Sequence, residues 1–216
     1  MREIEQRREE ERESRVQSIL TAARKLFAQY GVENSSVAQI GREARLSRTL
    51  VYFYFDDREH IYLSVMEEAL SGLLSFFLEA VQDLSRGIDR VEALGRAYFQ
   101  FTEENLDYYR VLAYFQAEKW DQGQLGPKAA EVHGRVMGLA DRVNQFLAGE
   151  IRQGQEDGSI QKDLDPLQGA LTVWSMTSGV IQTLSSKGEM FEKAYGLGAL
   201  QLRESCMNML RKALEG

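Results

Sequence analysis

The chain is poor in cysteine, proline and histidine. Of its 216 residues one is cysteine, Cys206, two are proline, Pro127 and Pro166, and two are histidine, His60 and His133. A single thiol closes no intrachain disulfide and builds no cysteine-rich metal cluster, which suits a reducing compartment. The two histidines form no metal-spaced pair and sit in no recognisable nucleophile motif. The glycines are scattered and form no phosphate-cradling loop. An enzyme is therefore the disfavoured class, and neither a metal nor another cofactor is expected. So little proline, with few alternating strand-like runs, predicts an all-α fold and excludes a sandwich, a barrel or a doubly wound sheet. The N-terminus has no apolar segment, so no cleaved leader is expected. The longest uncharged stretch, 166 to 186, carries glutamine, serine or threonine every few residues and reads as a helix buried in protein. No membrane partner is predicted, and the expected location is cytoplasmic.

What the chain does have is 44% apolar residues, enough for one or two domains, and a net charge of −7. That charge is unevenly placed. Residues 1–60 hold 11 basic and 11 acidic side chains, whereas 61–216 hold 15 and 22. A small neutral head can still present cations locally to phosphate, so the acidic total does not exclude nucleic acid.

The pattern along the chain divides it into three. Residues 1–15 carry five arginines and six glutamates with a single aliphatic residue, Ile4. Such a segment buries no face; it extends the first helix through pairs such as Glu3–Arg7 and Glu11–Arg15, or, on the preferred reading, frays into solvent. Residues 16–60 form a head. Its first helix carries the apolar stripe Val16, Ile19, Leu20, Ala23, Leu26, Phe27 and Tyr30 and closes at Gly31. Ser36 with Gln39 is a capping box for a short helix to about Ala44, and after a turn at Arg45 and Leu46, Ser47 caps a second, Arg48 to about Phe55. Asp56 and Asp57 suit the start of a long apolar helix. Two short helices across a tight turn, framed by longer ones, describe a helix-turn-helix.

The stretch from Ile19 to Glu59 resembles the DNA-binding head of the TetR (tetracycline-repressor) family of bacterial transcriptional regulators. The matching features are AA…LF…G in helix one, the hydroxyl pair before Val37, Ile40, the Leu46-Ser47 turn exit, and Tyr52-x-Tyr54-Phe55 followed by Arg58. Arg45 stands where the family usually has glycine, and a left-handed residue there costs roughly 1 kcal/mol. Thr49 replaces another frequent glycine, and Gly41 a frequent alanine. DNA contacts are expected from Ser36, Val37, Ser47, Arg48, Thr49, Leu50, Tyr52, Tyr54 and Arg58. Arg48, Thr49 and Leu50 open the second short helix, whose first residues face base edges in the major groove. Ser36 and Ser47 lie beside free backbone N–H groups suited to phosphate, Tyr52 and Tyr54 offer hydroxyls, and Arg58 is read as a phosphate clamp. Alternatively Val51, Phe53 and Phe55 are simply core, the preferred reading for Phe55, and for the tyrosines ring packing and an exposed OH are equally open.

Residues 61–216 carry no family-specific word. Apolar periodicity predicts helices near 88–105, 107–118, 127–155, 166–186 and 190–213, and Asp165-Pro166 fixes the start of the fourth of these. The total fits the nine helices that the TetR resemblance implies. The 166–186 helix has two apolar faces, so Val173, Met176 and Val180, with Leu202, Cys206 and Met209 of the last helix, are expected to build a homodimer interface as a four-helix bundle. Eight of the 21 aromatics fall within residues 98–120. The resemblance implies a ligand chamber among the middle helices, for which Phe99, Tyr109, Tyr114, Phe115, Trp120, Met137 and Trp174 are the candidate lining. An aromatic core without a cavity is the alternative. The reading is thus a homodimeric repressor of a palindromic operator, released by a small apolar or aromatic effector; the alternative is a helix-turn-helix regulator controlled by a protein partner.

Overall fold

The computed structural model describes residues 2–117 and 125–215, in which nine helices and no strands occur. They are α1 (Arg2–Tyr30), α2 (Val37–Glu43), α3 (Arg48–Tyr54), α4 (Arg58–Val81), α5 (Gly87–Glu104), α6 (Leu106–Ala117), α7 (Pro127–Asp157), α8 (Pro166–Tyr195) and α9 (Ala199–Glu215). The residues group into two compact units, Met1–Ser71 with Asn105–Leu139, and Gly72–Glu104 with Ala140–Gly216. The head predicted over 16–60 therefore packs in a unit that also takes in α6 and the first part of α7.

Most helix ends follow from their local chemistry. Gly31 closes α1 at φ 82°, Ser47 accepts from the Leu50 N–H at 3.1 Å, and Asp165 accepts from the Gln168 N–H at 2.8 Å ahead of Pro166. Asp57 caps α4 by accepting from the His60 N–H at 2.6 Å. Two expectations change. The charged tail does not fray: α1 is continuous from Arg2, and Arg12–Glu9 (2.8 Å) and Arg15–Glu11 (3.2 Å) brace it on its exposed surface. The break predicted near 186–190 lies instead at Gly196, which takes the left-handed conformation at φ 68° and donates its N–H to the Glu192 carbonyl. Gly188 is a helical residue whose added Cβ would meet nothing within 4 Å, so Phe191 and Tyr195 belong to α8, not to the last helix.

In the first unit, α1 rests on α6 and α4 through Ile19, Phe27 and Tyr62. Tyr62 is fully buried, donates its OH to the Val111 carbonyl at 3.0 Å, and meets the Phe27 and Tyr114 rings edge-on at 5.8 and 5.6 Å. Among the described residues α4 alone has the length and apolarity of a membrane span, and half of its most apolar stretch is buried inside the protein. The second unit is pinned by Arg90. It pairs with buried Glu150 and donates from Nη1 to the Val81 and Leu84 carbonyls at 2.8 Å each, closing the C-terminus of α4. Next to it, Asp157 and Ser159 accept from the Gly87 and Ile88 N–H groups at 2.7 and 3.1 Å, satisfying the first turn of α5. The Asp157 carboxyl is held below its ordinary pKa by its Ser159 and Gly87 hydrogen bonds.

Candidate nucleic-acid interface

The two short helices are locked to each other by backbone. Ser36 and Gln39 form the reciprocal capping box, with Ser36 N–H donating to Oε1 at 2.8 Å and Gln39 N–H to Oγ at 3.3 Å. After α2, Arg45 adopts φ 57°, the left-handed strain expected where the family prefers glycine. Leu46 N–H then returns to the Gly41 carbonyl at 2.8 Å, and a Cβ on Gly41 would lie 3.0 Å from the Leu46 carbonyl. Glycine at 41 therefore belongs to this tight turn. Val51 is fully buried and Phe55 nearly so, which plants α3 on the head and turns Arg48, Thr49, Tyr52 and Phe53 outward.

The expected contact residues divide accordingly. Ser36 and Ser47 are exposed, but their side-chain oxygens already cap α2 and α3. Arg48, Thr49 and Tyr52 are exposed on one surface, while Leu50 and Tyr54 are half-buried. Val37 is buried, so its side chain packs in the head and does not face a ligand. Phe53 corrects the core reading in the other direction: it is 72% exposed, its ring edge-on to Tyr54 at 5.1 Å, and nothing in its periodicity separates it from a core phenylalanine. Arg58 is less free than a phosphate clamp needs. Its Nη1 donates to the Glu33 carbonyl at 2.8 Å, and its Nε and Nη2 donate to Glu59 at 3.2 and 2.9 Å, which ties the α1–α2 loop to α4 and leaves two N–H groups outward.

Neither histidine has metal company; among the described residues no three potential ligands cluster. His60 is buried against Phe55, and its Nδ1 accepts the Asp56 N–H at 3.3 Å. Burial lowers its pKa, against the opposing pull of Asp56 and Asp57. It packs behind the α3–α4 corner. His133 is buried in the same unit.

Residues 19–65 match the family described as bacterial regulatory proteins, tetR family. That head is a TetR-family DNA-binding domain. Over 180 residues it is 21% identical to the HTH-type transcriptional regulator UidR of Escherichia coli K12, covering 83% of this chain and 86% of that one. The fold is shared with FadR of Bacillus subtilis in complex with stearoyl-CoA, at TM-score 0.71 and 18% identity over 92% of this chain and 98% of that one. It is shared also with AibR in complex with isovaleryl coenzyme A and operator DNA, at TM-score 0.66 and 19% identity over 90% and 97%. The chain thus has a TetR-type DNA-binding head, and the relatives it matches over most of its length are transcriptional regulators, not enzymes.

The candidate chamber residues fall in both units. The described members of the 98–120 aromatic cluster divide between the units at Glu104 and Asn105. Tyr109 is core and Tyr114 half-buried in the first unit, and Met137 is 46% exposed there. Phe99 is buried beneath the Arg203 guanidinium, 5.4 Å from its ring. The Phe115 side chain and Trp120 lie outside the described residues. What the second unit does hold is a cavity of about 20 Å³ lined by Phe77, Leu94, Tyr98, Val143, Asn144, Leu147, Val173, Trp174 and Thr177. Among the described candidate lining residues Trp174 is the one that reaches it, and sequence spacing does not pick out partners from three other helices.

The expected interface set also splits. Val173 and Cys206 are buried inside the protomer, because α8 turns Ala170, Val173, Thr177 and Ile181 inward and α9 turns Cys206, Met207 and Leu210 inward. Burial raises the Cys206 thiol pKa, in keeping with a packed, unreactive group. Val180 and Leu202 are half-buried, while Met176 and Met209 stay exposed, together with Leu167, Leu171 and Leu200, which sequence reasoning did not assign to an interface.

Proposed function

We propose that the chain is a homodimeric repressor that reads a palindromic operator through α3 and is released by a ligand carrying an apolar chain or ring. The observation that carries the reading is the exposed surface of α3, where Arg48, Thr49 and Tyr52 face outward from a helix anchored by Val51 and Phe55. Arg48 reads a base: its fork spans guanine O6 and N7 in the major groove. Arg58 contributes a phosphate contact only through the two N–H groups that its internal bonds leave. Arg48→Ala is expected to cost about 1–3 kcal/mol on the preferred duplex and to relax one base pair in each half-site. Isotherms on duplexes selected from random DNA, repeated with each base pair substituted, measure this. An unchanged preference at every position removes Arg48 as a reader.

The effector reading is supported by the apolar cavity around Trp174 and by the acyl-CoA complexes of FadR and AibR. With room for about one water, the cavity has to widen around a ligand, and a ligand that binds the widened form alone shifts the population away from the DNA-binding one. A series of acyl-CoA thioesters is expected to change Trp174 fluorescence and to weaken operator binding together. Trp174→Phe keeps the second effect and reduces the first. If no member of the series or of an aromatic library weakens operator binding, control by a protein partner becomes the better account. The proposed location is cytoplasmic.

A further inference from the structure

We infer that Tyr52 is a positioning residue that aims Arg48 and so sets base discrimination, beyond any contact it makes with DNA itself. This rests on the reading of Arg48 as a base reader. The two residues stand one helical turn apart on the exposed face of α3. Arg48 Nη2 donates to the Tyr52 hydroxyl oxygen at 3.2 Å, and the guanidinium carbon lies 5.3 Å from the centre of the Tyr52 ring. Among the described residues Arg48 has no carboxylate partner, so Tyr52 alone directs a cation that is otherwise open to solvent.

The donor count makes the pairing productive. A guanidinium has five N–H groups in a fixed fork. Tyr52 takes one from Nη2, which leaves one complete two-donor edge for a purine. The hydroxyl accepts in this bond, so its own proton stays available for an acceptor on the DNA. A side chain held this way loses less freedom on meeting the matching base and has less freedom to chase a mismatched one. Fixing the fork therefore acts on specificity, whereas a lone phosphate contact from Tyr52 acts equally on every sequence. Neighbouring Phe53, equally outward, has no polar atom with which to do this.

The test uses full-length protein and duplexes selected from random DNA, each base pair of the half-site substituted in turn, with Arg48→Ala, Tyr52→Phe and the double variant. Folding is checked by urea denaturation; Tyr52 is 41% exposed, so Tyr52→Phe leaves the core intact. Arg48→Ala is expected to lower discrimination at one base pair about tenfold or more. Tyr52→Phe is expected to lower discrimination at that same pair by about threefold or more, and the double variant to discriminate no worse than Arg48→Ala alone, the mark of two residues acting as one unit. If Tyr52→Phe weakens all duplexes alike with discrimination unchanged, Tyr52 is a backbone contact only and the inference is overturned. If Arg48→Ala leaves every preference intact, the base-reader assignment fails, and this inference fails with it by a result that Tyr52→Phe alone does not produce.

Discussion

Gly87→Ala is expected to destabilise the second unit by about 3 kcal/mol or more, lowering Tm by roughly 6–12 °C for a chain of this size. A Cβ built at Gly87 would sit 2.1 Å from the Gly154 nitrogen, 2.2 Å from its Cα and 2.8 Å from the Glu150 carbonyl. All three are backbone atoms of α7, so no side-chain rotation relieves the overlap and the start of α5 has to lift away. Lifting it also stretches the hydrogen bonds from Gly87 and Ile88 to Asp157 and Ser159 and disturbs the Arg90–Glu150 pair, whose carboxylate is buried. Gly154→Ala is milder, since its Cβ would meet the Ile160 side chain, which can shift. Gly134→Ala is the control: its Cβ would meet nothing within 4 Å, and in an exposed helix the change is expected to stabilise by about 0.5–1 kcal/mol. Thermal and urea unfolding of the three variants ranks them. A Gly87→Ala protein as stable as the parent would mean that α5 does not cross α7 at this point.

The features legible in the sequence were those decided within a few residues. Ser36 with Gln39, Ser47, Asp57, Asp165 with Pro166, and Gly31 each announce a helix end because the partner is three or four positions away, and each forms the bond expected of it. Arg45 was legible as strain for the same reason: one residue occupies a turn that demands φ above zero. The features that were not legible are settled by distant chain. Arg58 reads as a phosphate clamp from its own neighbourhood, but the Glu33 carbonyl, 25 residues earlier, takes a hydrogen bond from its Nη1. The Gly87–Gly154 crossing joins residues 67 apart, and glycine spacing in one helix does not name the glycine it will meet. Periodicity showed that α8 has two apolar faces, but Val173 lies on the inward one because Leu94, Tyr98 and Leu147 are there to receive it. Aromatic density over 98–120 does not show where each ring packs: across the short break between α5 and α6 its described members pass from one unit to the other.

The same distinction between inward and outward faces identifies the substitution that separates subunits without unfolding them. Met209 of α9 is 61% exposed and Met176 of α8 38% exposed, in the same unit as exposed Leu171 and Leu200, and a Cβ on Gly179 between them in sequence would meet nothing. An apolar surface of this kind, with a helix free to approach closely at a glycine, fits the intersubunit bundle proposed above. Met209→Glu places a charge on that surface and disturbs no buried contact, so the protomer is expected to keep its Tm at low concentration while sedimentation reports monomers. Binding to the two half-sites then ceases to be linked. Because the second contact in a dimer is intramolecular, its loss is expected to weaken binding to the full palindrome by about 10²–10⁴-fold, while affinity for an isolated half-site changes little. Met137→Glu is the matched control, since Met137 is 46% exposed on α7 in the other unit and is expected to leave both mass and DNA binding unaltered. A Met209→Glu protein that sediments as a dimer would move the interface off α9. A monomer that still binds the palindrome at parental affinity would mean that each head reads its half-site alone, and the two-fold symmetry of the operator would need another cause.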